Sequence, residues 1–116
     1  MIMYRQAKTM KNVTSGITEE EIPEGVRLIL RGRVNSENAD NLHEIMQKAL
    51  ENGRKYIILN MMRVNFLSSS GIRVILKTYQ DVKKIGGSLV IELPSDNVKN
   101  VLGMTALDDM LIKNES

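Results

Sequence analysis

From Tyr56 to Leu93 the chain reads strand, helix, strand, and that order confines it to a small set of folds. Tyr56–Leu59 with Met61 and Met62 is a nearly continuous apolar run of strand length. A run without alternation fits a strand buried on both faces in the middle of a sheet. A loop is expected from Arg63 to Leu67, leading to Ser68-Ser69-Ser70-Gly71. Ile72, Ile75, Leu76, Tyr79, Val82 and Ile85 then recur at helical spacing, Gly86-Gly87 stops the helix, and Ser88–Leu93 forms the next strand. Such a βαβ unit carries parallel strands and a right-handed crossover.

The flanks extend this unit in both directions. Ile17–Ile22 and Val26–Val34, separated by Pro23-Glu24-Gly25, read as a hairpin. From Ser36 the period changes: Ala39, Leu42, Ile45, Met46, Ala49 and Leu50 share one helical face, with Asn35 or Ser36 as N-cap and Gly53 just past the end. After Pro94, Ser95 or Asp96 can cap a short helix through Val98, Val101 and Leu102 that ends at Gly103. Thr105 with Asp108 resembles a capping box, and Leu111–Lys113 reads as a short edge strand. Residues 1–16 lack a sustained period and read as a flexible N-terminal extension, residues 17–113 as the domain, and 114–116 as a C-terminal tail.

Composition narrows the function. With 116 residues one core is expected, large enough to do without disulfides or structural metal. No cysteine and one histidine exclude thiol chemistry and Cys/His zinc sites, so no metal ligands and no cofactor are expected, and a triad would have to be built on His43. Three Tyr, one Phe and no Trp leave little platform for base stacking, which argues against direct nucleic-acid binding. Charge divides unevenly: residues 1–16 carry +3, residues 17–25 carry −4 through Glu19, Glu20, Glu21 and Glu24, and the remainder +3. No polybasic arm, signal-type apolar segment or 18-residue apolar run is present, so a cytoplasmic chain without membrane insertion is expected.

The chemistry concentrates at Ser68-Ser69-Ser70-Gly71. There a buried strand hands over to a helix whose first N–H groups and positive dipole end meet solvent, a setting that welcomes an anion. A phosphate on Ser69 would bring about −1.5 to −2 charges to that end, with Arg73 four residues on, within reach of it. A side chain at Gly71 is expected to obstruct a partner approaching the serines. The bland alternative is that the serines only cap the helix. Other signals read as structure. His43 belongs at the edge of a buried helix face, and Gly86-Gly87-Ser88 lacks the order of a phosphate loop. Met46, Met61 and Met110 fit a core or an adaptable interface. Glu19–Glu21 suit a solvated edge strand that discourages sheet-to-sheet pairing.

The run from about Ile17 to Ile112 resembles a STAS domain, the module of anti-sigma factor antagonists and of the cytoplasmic tails of sulfate transporters. Five stretches carry the resemblance: Gly32-Arg33-Val34-Asn35, Tyr56-Ile57-Ile58-Leu59-Asn60, Phe66-Leu67-Ser68-Ser69-Ser70-Gly71-Ile72, Lys84-Ile85-Gly86-Gly87-Ser88-Leu89 and Val98–Leu107. It implies an α/β, STAS-like fold, a mixed four- or five-stranded sheet with helices packed mainly on one face. It also implies a non-enzymatic anti-sigma factor antagonist, a monomer or weak dimer, that binds an anti-sigma factor serine kinase while Ser69 is unphosphorylated. The phosphoprotein lets go until a phosphatase restores it, and the ATP belongs to the kinase. The implied contact surface is Asn35, Ser36, Ser68, Ser70, Gly71 and Arg73 around Ser69, with Ser68 and Ser70 as alternative acceptors. A non-enzymatic STAS scaffold or adaptor in a stress-sensing or lipid-transport assembly is the other reading. The family commonly has Asp where this chain has Ser68 and Asn35. Both replacements remove a charge that would oppose a phosphate by about 1 kcal/mol each while keeping hydrogen-bonding capacity.

Overall fold

The computed structural model describes the backbone of residues 12–14 and residues 16–112 in full. Five strands form one sheet in chain order: β1 (Asn12–Thr14), β2 (Ile17–Ile22), β3 (Gly25–Val34), β4 (Tyr56–Leu67) and β5 (Ser88–Glu92). β1, β2 and β3 are antiparallel neighbours, whereas β3, β4 and β5 run parallel. The helices are α1 (Ser36–Glu51), α2 (Ser69–Lys84), α3 (Asp96–Met104) and α4 (Asp108–Leu111). The sheet is therefore mixed and five-stranded, and the βαβ unit stands with β4 central between parallel neighbours. β4 is not buried on both faces as its apolar run suggested: Ile57, Leu59 and Met61 are buried under the helices, whereas Tyr56 and Met62 are exposed and Ile58 and Asn60 half-buried on the other side.

Register assigns the two sheet faces. Val26, Leu28 and Leu30 of β3, Ile57, Leu59 and Met61 of β4, and Leu89 and Ile91 of β5 are buried in one cluster with Leu42 and Met46 of α1, Ile75 and Val82 of α2, and Val98 and Leu102 of α3. At about 25 cal/mol per Å² of apolar area removed from water, this layer between sheet and helices dominates stability. The opposite face, with Arg27, Ile29, Ile58, Asn60, Val90 and Glu92, is half-buried and carries no helix from this cluster. Arg27 ties it together, donating from Nε to Glu92 Oε2 at 2.9 Å, and Asn60 Nδ2 donates to the same oxygen at 3.0 Å.

Several elements differ from expectation, each for a physical reason. No loop spans Arg63–Leu67, because β4 continues to Leu67. Two register shifts against β3 insert extra residues into β4, so its inward side chains Met61, Val64 and Leu67 fall three apart and match no strand period. The stretch read as a flexible extension contains β1, whose Asn12–Thr14 pair with Ile17–Glu19; residues 1–11 lie outside the described set. β2 is consequently not an edge over that length. Its acids meet cations instead, Glu20 near Arg27 at 3.7 Å and Glu21 with Arg54 at 3.0 Å. Thr105 makes no capping box: its Oγ1 donates back to the carbonyls of Val101 and Leu102, and α4 starts at Leu107 without a side-chain cap. Leu111 ends α4 and Ile112 makes a single parallel bridge to Ile91, so the described part of Leu111–Lys113 is no strand. Met46 and Met61 are core, while Met110 is exposed. His43 sits half-buried at the edge of α1's inner face.

Candidate functional site

β3 and β4 end side by side, with Val34 opposite Leu67, and each passes directly into a helix. Two helix N-termini therefore open at the carboxyl end of adjacent parallel strands, where open α/β sheets commonly place their ligands. Each start is built by a polar cap. Asn35 Oδ1 accepts from the N–H groups of Glu37 at 3.0 Å and Asn38 at 3.3 Å, and Asn38 Oδ1 accepts from Asn35 N at 2.8 Å, closing a reciprocal box. Asn38 Nδ2 also donates to Arg33 O at 2.7 Å, which fixes α1 to the end of β3. Ser68 N donates to Val34 O at 2.8 Å, and Ser68 Oγ accepts from Gly71 N at 3.2 Å.

These contacts divide the serines by role. Ser68 is half-buried and spends its oxygen on the cap, and Ser70 is half-buried on the first turn. Ser69 is the first residue of α2 and is exposed, and among the described residues its N–H and that of Ser70 have no acceptor. The first turn of α2 holds no acid, so no carboxylate there competes with an anion. Arg73 is exposed one turn on, at the spacing of helix neighbours. Ser36 is exposed at the start of α1.

Gly71 has a different part from the one its sequence position suggests. It is buried, and a Cβ on it would lie 2.8 Å from Val34 Cγ1 and 2.9 Å from Leu67 Cδ1. Its missing side chain lets α2 seat against the ends of β3 and β4; it does not clear a path for a partner. Ser68 and Asn35, where the resemblance implies Asp, are the two N-caps. Asp, Asn and Ser are nearly interchangeable in that role, so the caps survive the exchange while the local negative charge is lost. Asn35→Ala should lower stability by about 1 kcal/mol, read as a shift in urea midpoint with unchanged slope; no shift would show that Asn35 is not holding α1.

Among the described residues no group of three His, Asp or Glu is placed to hold a metal ion, and no helix is long and apolar enough to cross a membrane.

The layered α/β fold thus presents one exposed serine, Ser69, beside two paired helix starts. The chain belongs to the STAS domain family, whose model matches residues 17–115. A Bordetella bronchiseptica relative, BtrV, whose name marks it as a candidate anti-sigma factor antagonist, is 29% identical over 75 residues, and the match spans 65% of each chain. The solved anti-sigma factor antagonist SpoIIAA in its unphosphorylated form superposes with a TM-score of 0.75 at 22% identity, covering 85% of this chain and 89% of that one. The Bacillus cell fate determinant SpoIIAA in its phosphorylated form gives a TM-score of 0.70 at 20% identity, covering 85% and 92%.

Proposed function

We propose that this STAS domain is an anti-sigma factor antagonist that holds its anti-sigma factor through the paired helix starts and releases it when Ser69 is phosphorylated. The observation that carries the reading is the division among the three serines: only Ser69 combines exposure with free backbone donors beside it. Ser68 would lose its cap on modification. The relative's name and the two SpoIIAA structures support the same role. The phosphate would come from the ATP of an anti-sigma factor that is itself a serine kinase, and a phosphatase would return the hydroxyl. Asn35, Ser36, Ser68, Ser70 and Arg73 then form the surrounding contact surface, and the buried Gly71 shapes it from beneath.

The test is incorporation of phosphate from ATP by the cognate kinase, located by peptide mass spectrometry. One phosphate on Ser69 is expected, and none in Ser69→Ala. Phosphate on Ser68 or Ser70 in the native chain, or undiminished incorporation in Ser69→Ala, would sink the assignment.

A further inference from the structure

β3 and β4 run on together past their neighbours. β2 pairs with β3 only up to Leu30, and β5 pairs with β4 only up to Asn60; beyond these points the two strands continue as a two-stranded ribbon. It is edged on one side by Gly16, whose O accepts from Arg31 N at 3.1 Å, and on the other by Ser95 and Asn97, which donate to the carbonyls of Met61, Val64 and Asn65. On this ribbon Arg31 lies directly opposite Arg63, and Arg33 lies opposite Phe66. All four side chains are exposed, as is Met62 at the bulge. The Arg33 guanidinium stacks on the Phe66 ring, 4.1 Å from its centroid. Among the described residues none of the three arginines has a carboxylate partner, although Arg27 and Arg54 elsewhere on the molecule each have one.

Like charges directly opposite in a sheet are destabilising, so an Arg31–Arg63 pair without acids costs the free domain something. Stacking holds Arg33 by its face and leaves its in-plane N–H donors for a planar acceptor, the geometry that favours carboxylates in bidentate pairs. Phe66 and Met62 add exposed apolar area, and Arg, aromatic residues and Met are the types enriched in protein interfaces. At the bulged part of β4 the N–H of Met62 donates to Asn60 Oδ1 and the carbonyls of Met61, Val64 and Asn65 accept from Ser95 and Asn97, which leaves little free backbone here to cradle a phosphate. Three cations also give too few phosphate contacts for strong nucleic-acid binding.

The geometry points to a second docking surface, the Arg31–Arg63–Arg33/Phe66 ribbon, that takes an acidic, carboxylate-bearing segment of a protein partner. It lies on the strand pair that leads into α2 but does not depend on Ser69 being modified.

The experiment is a titration of the ¹⁵N-labelled full chain, followed by NMR. Its probes are a Glu-rich peptide of a dozen residues with a central Phe, a single-stranded oligonucleotide of equal charge, and phosphatidylglycerol vesicles. The peptide is expected to give saturable shifts at the amides of residues 31, 33, 63 and 66 that weaken as salt rises. Arg63→Glu should cut the affinity at least about tenfold and, by placing opposite charges across the ladder, raise the melting temperature. Lost binding with raised stability is a signature that a merely structural arginine would not give. Shifts mapping elsewhere, equal peptide affinity in Arg63→Glu, or tighter binding of the oligonucleotide or vesicles would overturn the proposal.

Discussion

Ser69→Asp is expected to weaken binding to the cognate anti-sigma factor by at least about tenfold, and full phosphorylation by at least about a hundredfold, roughly 2.7 kcal/mol. The loss arises at the interface and not in the fold. Ser69 is exposed at the start of α2, so an added charge meets solvent, the helix dipole and the unpaired N–H groups of Ser69 and Ser70 in the free protein. An anion there stabilises a helix by about 0.3–1 kcal/mol. In the proposed complex the same charge would be stripped of water against the partner, and a buried charge without a partner costs several kcal/mol. The variant should therefore melt at the native temperature or slightly above it while binding poorly. Ser69→Ala should bind like the native chain and resist release by ATP. Calorimetric titration alongside thermal melting separates the two effects. Ser69→Asp binding as tightly as native would exclude a charge switch, and a melting temperature falling in step with affinity would assign the loss to unfolding.

How much of this was legible in the sequence depended on whether one local period governed each stretch. The apolar run at Tyr56, the helical spacing from Ile72 and the strand after Gly87 each obey a single period, and the βαβ unit follows from them. The serines at the start of α2 were legible for the same reason, since a helix start can be located from its first periodic residues. The distal half of β4 was not. Its two bulges move Met61, Val64 and Leu67 to a spacing of three, which is neither strand nor helix. β1 was hidden because three residues show no period, and their pairing with Ile17–Glu19 is visible only in three dimensions. The arginine ribbon was hidden for a further reason: Arg31 and Arg63 are brought opposite each other by a register that the bulges alone set. Gly71 was located correctly but read outward, because spacing gives a helix position without saying which way a missing side chain would point.

The glycines that set β4's position make the same point, and they carry the largest expected effect on stability. Gly86 and Gly87 read from sequence as a helix stop, yet they do different work. Gly86 has φ +80, and a Cβ on it would meet nothing within 4 Å, so Gly86→Ala should cost only about 1 kcal/mol of backbone strain. Gly87 has no such space: a Cβ there would lie 1.9 Å from the carbonyl oxygen of Lys55, and Ser88 N donates to that oxygen at 2.9 Å. Lys55 precedes β4, and on β4's other side a Cβ on Gly25 would lie 2.2 Å from Tyr56 O. β4 thus enters the sheet between two backbones that approach it as closely as glycine permits. Because the obstacle is main chain, no rotamer change relieves it, and Gly87→Ala must push β5 away from β4 and loosen Leu89 and Ile91 in the core. A cost of about 3 kcal/mol is expected, at the upper end for overpacking, which for a domain of this size lowers the melting temperature by roughly 10–15 °C. Thermal denaturation of the two alanine variants side by side checks the claim. Equal, small losses would mean that Lys55 can retreat and that the close approach does not fix β4, and with it the direction in which Ser69 is presented.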